Sequence, residues 1–491
     1  MFHAVNLMRQ VSTQGSVIIF LFLLPLLLAG CKSMAPPHQR PAMPVAQAFP
    51  GVDNAETGAN AAASLGWQDY FADPQLLALL SRALDYNRDL RQAVLRVESA
   101  RALYGVQRAD LFPGVNAQGS YARSRTPADM NLTGRPLLAN EYQVDLGATN
   151  WELDFWGRVR NLKDAALETF LASDASRQAF TISLISDVAN TYLSLRELDE
   201  RLLIAKKTIE TRSESFRIFK RRFEVGSISK LELNQIEILL AQAQTLEYQL
   251  QQSRATQLNA LTLLVGNEVS ISPAAHDVED EQILRVIKVG LPSDMLTARP
   301  DIVAAEHTLK GANANIGAAR AAFFPRITLT AAFGTASREL DSLFDSGTQA
   351  WRFAPSLTLP IFDGGRNRAN LQLAEVRRDM AVANYEKTIQ GAFREVADAL
   401  AARQWMTKQI GSQKQTVDAQ AERARLAELR YDNGATSYFE VLDAQRTLLE
   451  EEQQLVQMRR ALLSSQVSLY AALGGGSQSI AATTPAEQPS H

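Results

Sequence analysis

"DLRQAVLRVESARALYGVQRADLFP" (residues 89–113) aligns without gaps to "DIVAAEHTLKGANANIGAARAAFFP" (residues 301–325). Asp89, Ala93, Ala100, Ala102, Gly105, Arg108, Ala109, Phe112 and Pro113 all recur 212 residues later. A second match follows in each copy. "RRFEVGSISKLEL" (221–233) corresponds to "LRYDNGATSYFEV" (429–441), with Gly226 matched to Gly434 and an offset of 208. The later copy is therefore four residues shorter between Phe324-Pro325 and Gly365-Arg366 than the earlier one is between Phe112-Pro113 and Gly157-Arg158, as a shorter loop would produce. Solenoid repeats have periods of about 20–50 residues. A period near 210 is a duplicated domain.

Each copy has the same order. A helix runs to Phe-Pro, where Pro113 or Pro325 ends it. Two alternating segments follow. Val115, Ala117, Gly119 and Tyr121 share one face, and Tyr142, Val144, Leu146 and Ala148 share a face on the return. Their counterparts are Ile327, Leu329, Ala331 and Phe333, then Trp351, Phe353, Leu357 and Leu359. Period two over about ten residues, with polar residues between, fits strands that are apolar on one side, as in transmembrane β-barrels.

Proline then disappears, from Leu137 to Ser272 and from Ile361 to Thr484. These tracts are rich in Ala, Leu, Glu, Gln, Arg and Lys, all good helix formers. Val188, Tyr192, Leu195, Leu198, Leu202 and Ile209 recur at spacings of three, four and seven. A helix from Arg158 to Phe223 would run about 66 residues, roughly 100 Å, which suits coiled-coil packing. Gly226 breaks it, and a second helical segment returns.

Four membrane strands cannot close a barrel, because about eight is the smallest size. An open edge in lipid leaves backbone groups unsatisfied, so several chains must share one barrel. Two chains would give eight strands packed with side chains, and three would give twelve with room for a lumen.

The N-terminus is a targeting segment. Arg9 is the only charged residue among the first thirty, and Val17–Ala29 is apolar apart from Pro25. About 13 apolar residues are too few to span a bilayer, which needs about 20, so the run reads as a signal h-region. Leu28-Ala29-Gly30-Cys31 resembles the bacterial lipoprotein signal, in which the cysteine is acylated and becomes the first mature residue. Cys31 is the single cysteine in the chain. Its acylation leaves no thiol for a disulfide or for thiolate chemistry. Lys32 stands where an inner-membrane retention aspartate would be, which implies sorting to the outer membrane.

Composition excludes other classes. Without Arg9 the 50 basic residues become 49 against 53 acidic ones, a net of −4, so nucleic-acid binding has no electrostatic support. The five histidines (His3, His38, His276, His307, His491) have no i, i+4 pair, which argues against a histidine metal site. No P-loop and no G-x-S-x-G occurs. The nine methionines are scattered, so no soft-metal pathway is visible. The expectation is a non-enzyme without a cofactor or metal.

The lipobox, the doubled helix–Phe-Pro–hairpin–coil unit and the two glycine turns resemble the TolC-like outer-membrane factors, in their NodT-related lipoprotein branch. The segments "FFPRITLTAAFG", "PIFDGGRNRANL", "ELRYDNGATSYFEVLDAQRTLLEEEQQL" and "TARPDI" carry the resemblance, which extends from about Trp67 to Gly474. It implies an internally duplicated α+β membrane protein. Three chains give a twelve-stranded β-barrel, four strands each, continued by a periplasmic tunnel of coiled helices. The implied partners are two further copies, outer-membrane lipid, a periplasmic membrane-fusion adaptor and an inner-membrane pump of the resistance-nodulation-division type. The implied function is passive export of drugs or other toxic small compounds. A type I secretion exit is the alternative within the family. A periplasmic coiled-coil adaptor or scaffold is the alternative outside it, although such a protein has no need of two matching strand pairs.

The expected organisation is a signal peptide (1–30), a lipidated extended segment (31–66), repeat 1 (67–273), a connecting segment (274–296), repeat 2 (297–475) and a flexible tail (476–491). Repeat 1 holds a hairpin at about 114–154 and helices at about 157–223 and 229–265. Repeat 2 holds a hairpin at about 326–361 and helices at about 366–430 and 437–473. The resemblance also places a gate at the periplasmic helix turn. Phe439 and Asp443 (i, i+4) and Asp443 and Arg446 (i, i+3) are neighbours on one helix face, with Glu440 beside them. Under three-fold symmetry each becomes a ring of three. Phe439 matches an apolar constriction, and Glu440 and Asp443 match acidic ones that repel each other and favour cations. The turns at Gly226, Ser227, Gly434 and Ala435 are the expected adaptor docking points.

Overall fold

The computed structural model describes residues 33–49, 61–271, 283–285, 287, 295–478 and 480. The expected signal segment, Cys31, most of the connecting segment and the end of the tail lie outside the described residues. The chain divides into two compact units. One comprises residues up to 41, 97–173 and 305–385, and the other 42–96, 174–304 and 386 onward.

The first unit is built on a four-stranded antiparallel sheet in the order β1-β2-β3-β4, formed by Val115–Thr126 (β1), Leu137–Glu152 (β2), Arg326–Ser337 (β3) and Gln349–Thr358 (β4). The duplicated hairpins therefore pair side by side, through β2 and β3. Register follows the alternation: Val115 lies opposite Ala148, Ala117 opposite Leu146, Gly119 opposite Val144 and Tyr121 opposite Tyr142. Leu146 faces Phe333 on β3, and Phe333 faces Trp351 on β4. Directly opposite residues share a face, so these side chains form one continuous apolar surface. Asn116, Gln118, Ser120, Gln143, Asp145, Thr328, Thr330 and Ser356 lie on the other.

One element departs from strict alternation. Between Ala148 and Trp151 the register shifts through a bulge. Asn150 there has φ 54°, a left-handed conformation that Asn tolerates better than most residues. Its N–H donates to the Thr330 hydroxyl at 3.2 Å. The bulge returns Trp151, which strict alternation would place on the polar side, to the apolar face opposite Leu329. On the polar face β2 and β3 approach closely at Gly334, where a Cβ would sit 2.1 Å from the Val144 carbonyl oxygen. Only glycine fits there.

The ends of the strands are tied to the helices that follow. Glu152 accepts two bonds from Arg158, at 2.9 and 2.7 Å, and a third contact from Arg326 at 2.7 Å. The Trp156 indole donates to the Pro325 carbonyl at 2.8 Å and stacks on Phe324 at 4.9 Å. The second copy's Phe-Pro thus closes onto the first copy's loop. Ahead of the repeats, Ser33 donates to Asn161 at 2.7 Å, and Glu306 receives Arg40 at 2.8 Å and Lys310 at 3.1 Å.

The remaining elements are helices, several of which span the boundary between the units. Pro74–Tyr86 (α1) starts at Asp73, whose carboxylate accepts from the Gln75 and Leu76 amides and from the Tyr192 hydroxyl at 2.6 Å. Arg88–Ala109 (α2) and Pro300–Ala321 (α5) are the quoted repeat helices. Arg158–Glu224 (α3) and Arg366–Asp432 (α6) are the long arms, and Lys230–Val265 (α4) and Tyr438–Ala472 (α7) the returns. Val188, Tyr192 and Leu195 are fully buried and Leu198 and Leu202 nearly so, whereas Ile209, toward the end of the stripe, is half-buried. Partly buried ion pairs run between α3 and α7, Glu197 to Arg460 at 2.8 Å and Glu200 to Arg459 at 2.7 Å, and fix the register of the two helices. Tyr70 and Tyr470 stack at 4.2 Å.

Candidate functional site

Two features are the candidates for function: the apolar face of the sheet and the pair of helical turns. On the sheet, Leu146, Phe333, Phe353, Leu357 and Trp351 are each at least 60% exposed. Soluble monomers rarely expose apolar patches beyond a few hundred Å². Both edge strands, β1 and β4, also present unpaired backbone groups. No helix among the described residues is long and apolar enough to cross a membrane.

The turns are built by local chemistry. α3 ends in a Schellman turn, with the Gly226 amide donating to Phe223 and the Ser227 amide to Arg222, both at 2.9 Å. α6 ends the same way, Gly434 to Tyr431 at 2.9 Å and Ala435 to Arg430 at 2.8 Å. Gly434 has φ 73°, and a Cβ there would meet nothing within 4 Å. Backbone conformation alone therefore requires the glycine, and the turn is open to a partner.

The two copies then diverge at one matched residue. Ser229 and Glu232 form a reciprocal capping box on α4. Glu440 is the counterpart of Glu232, yet Ser437 makes no side-chain cap on α7. The Glu440 carboxylate instead accepts from the Thr436 hydroxyl and pairs with Arg430 at 2.9 Å. Asp443 pairs with Arg423 at 2.7 Å and with Arg446 at 2.8 Å. Within the chain, then, neither carboxylate is bare. Each has its own arginine, and a charged pair costs less to bring together than two bare anions.

Phe439, Asp443 and Arg446 do come together. They line one groove on α7 against Gln235, Ile238 and Gln242 of α4, and Phe439 is 61% exposed. Glu440 points elsewhere, to the partners above. Behind the turns, Tyr438 lies 4.2 Å from Phe219 and 4.8 Å from Tyr431, and Arg222 donates to the Tyr431 hydroxyl at 2.6 Å. Burial pushes the Tyr438 hydroxyl above the ordinary phenol range. This cluster joins the two hairpins.

Sequence reading missed Arg423, Arg430 and Thr436. A signal was present. Arg423 and Asp443, and likewise Arg430 and Glu440, are nearly symmetric in sequence about Gly434, and such residues face each other across an antiparallel helical hairpin.

The family model described as outer membrane efflux protein matches residues 79–267 and 291–475. The chain is 43% identical over 455 residues to outer membrane protein OprJ of Pseudomonas aeruginosa, covering 92% of this chain and 95% of that one. It is 43% identical over 453 residues to the antibiotic efflux pump outer membrane protein ArpC of Pseudomonas putida, covering 92% and 93%. In structure it resembles the open state of the MtrE outer membrane channel of Neisseria gonorrhoeae, with a TM-score of 0.83, 38% identity, and coverage of 91% and 98%.

Proposed function

The chain belongs to the outer membrane efflux protein family, and from that premise we propose how its parts work together in export. It is an outer-membrane channel component of an efflux pump and not an enzyme. Three copies share one barrel of twelve strands, with the apolar face in lipid and the polar face lining the lumen. The observation that carries this reading is the sheet itself: four strands, two open edges and one face of exposed aromatic and aliphatic side chains. Lipid forbids open edges, four strands cannot close, and twelve leave a lumen. A periplasmic scaffold would have no use for such a sheet.

The helical turns face the periplasm. Gly226, Ser227, Gly434 and Ala435 present the docking points for a membrane-fusion adaptor, behind which stands an inner-membrane pump of the resistance-nodulation-division type. Phe439, Glu440, Asp443 and Arg446 form the gate, and adaptor and pump open it through higher affinity for the open tip. The cargo is drugs or other toxic small compounds, the kind of cargo named for ArpC. Two measurements test this function together. The purified protein is expected to conduct in planar bilayers as a heat-modifiable trimer, and deletion of its gene is expected to sensitise cells to several unrelated drugs. A conducting trimer whose loss changes no drug sensitivity would assign the channel to another export system.

Cys31 is the proposed lipid anchor. Cys31→Ser is expected to abolish incorporation of radiolabelled palmitate while leaving partial function when another signal peptide is supplied, since the barrel itself spans the membrane. Undiminished labelling of the variant would remove the anchor from this residue.

A further inference from the structure

The apolar face of the sheet ends in two arginines. On β1 the alternation Val115, Ala117, Gly119, Tyr121 continues on the same side to Arg123 and Arg125. The register there is unbroken, with Tyr121 opposite Tyr142, Arg123 opposite Asn140 and Arg125 opposite Leu138. Tyr121 and Tyr142 stack at 4.6 Å. An aromatic pair at the upper border of an apolar band marks a membrane–water interface. One step of the alternation is about 7 Å along a strand. The two guanidinium groups therefore sit just beyond the aromatic level, at headgroup depth, and on the outside of the barrel.

They lie at the hairpin end of the sheet, away from the strand ends that join α2 and α3, and so toward the outer leaflet. Both are exposed. Among the described residues neither makes an ion pair or a side-chain hydrogen bond. Arg135, in the loop after β1, is exposed as well. Two unpaired cations facing the headgroup layer need anions. Guanidinium binds phosphate through paired N–H donors, with a geometry that a lysine does not match.

We propose that Arg123 and Arg125 form a binding site, on the outer wall of the barrel, for the phosphate groups of a phosphorylated glycolipid of the outer leaflet. The site rests on the reading of the sheet as barrel wall and adds to it a specific lipid. The rival partners are the carboxylates of Glu339, Asp341 and Asp345 in the β3–β4 loop of a neighbouring copy, since β1 and β4 are the edges that would meet.

The test uses the full-length protein in nanodiscs of phosphatidylcholine, titrated with diphosphorylated lipid A or with its dephosphorylated form, and read by native mass spectrometry. At about 1 kcal/mol for each basic residue at a lipid surface, Arg123→Ala with Arg125→Ala is expected to weaken diphosphorylated lipid A binding about thirty-fold. Binding of the dephosphorylated form is expected to stay unchanged, and the double Lys variant to recover part of the loss. Equal binding by wild type and the Ala variant overturns the proposal. So does dissociation of the Ala variant's trimer in phosphatidylcholine alone, which would assign the arginines to a neighbour's carboxylates. Failure of the wild type to form a trimer in nanodiscs would instead strike the barrel reading.

Discussion

Leu146→Arg is expected to remove the trimer from outer-membrane fractions, whereas Gln143→Arg leaves it intact. The two positions are three residues apart on β2 and face opposite ways. Leu146 is 60% exposed and lies opposite Ala117 and Phe333, in the middle of the apolar face. A charge on the lipid face near the midplane costs about 2–4 kcal/mol. Three copies in one barrel raise that to about 6–12 kcal/mol, comparable to the whole stability of a typical folded protein. Gln143 lies opposite Ser120 and Ala336 on the polar face, and its amide already donates to Asp145 at 2.7 Å. An arginine there keeps that carboxylate as a partner and stays in water. Heat-modifiable gel migration of both variants checks the result. Equal loss in both, or in neither, would overturn the assignment of faces.

The second large effect is expected at the proposed gate. Asp443→Ala combined with Glu440→Ala should raise single-channel conductance in planar bilayers and weaken block by multivalent cations added from the periplasmic side. Without its pump, such a channel should also admit large antibiotics such as vancomycin. In each chain these carboxylates hold Arg423, Arg446 and Arg430, and two of the three pairs bridge the arms of the second helical hairpin. The pairs are exposed, at about 0.2–1 kcal/mol each. Three pairs in each of three chains nevertheless sum to about 2–9 kcal/mol, of which the part lost on opening biases the closed–open equilibrium. Exposed pairs are screened by salt, so wild-type conductance is expected to rise with ionic strength more steeply than that of the double variant. Unchanged conductance and unchanged block would reduce these carboxylates to a solvated helix surface.

The duplication, the strand faces and the glycine turns were all legible in the sequence, because each depends on local rules. Period two assigns Tyr142, Val144, Leu146 and Ala148 to one side wherever the strand is placed, and a left-handed turn selects Gly226 and Gly434 whatever packs around them. The need for assembly was legible too, since four strands in lipid leave edges that no single chain can satisfy.

Tertiary structure decided what depends on partners distant in sequence. β2 pairs with β3 across more than 170 residues of chain, and that pairing places the Asn150 bulge and returns Trp151 to the apolar face. Glu232 and Glu440 occupy matched positions. One caps its helix and the other reaches Arg430: Ile228 stands where the second turn has Thr436, and Arg222, the match of Arg430, is turned to the Tyr431 hydroxyl instead. Local propensity fixes the direction in which a side chain leaves the backbone. Which charge or ring it meets is set by the elements packed around it: α4, about 200 residues upstream, closes the groove over Phe439, Asp443 and Arg446, whereas Glu440 turns to Arg430 and Thr436 within its own hairpin.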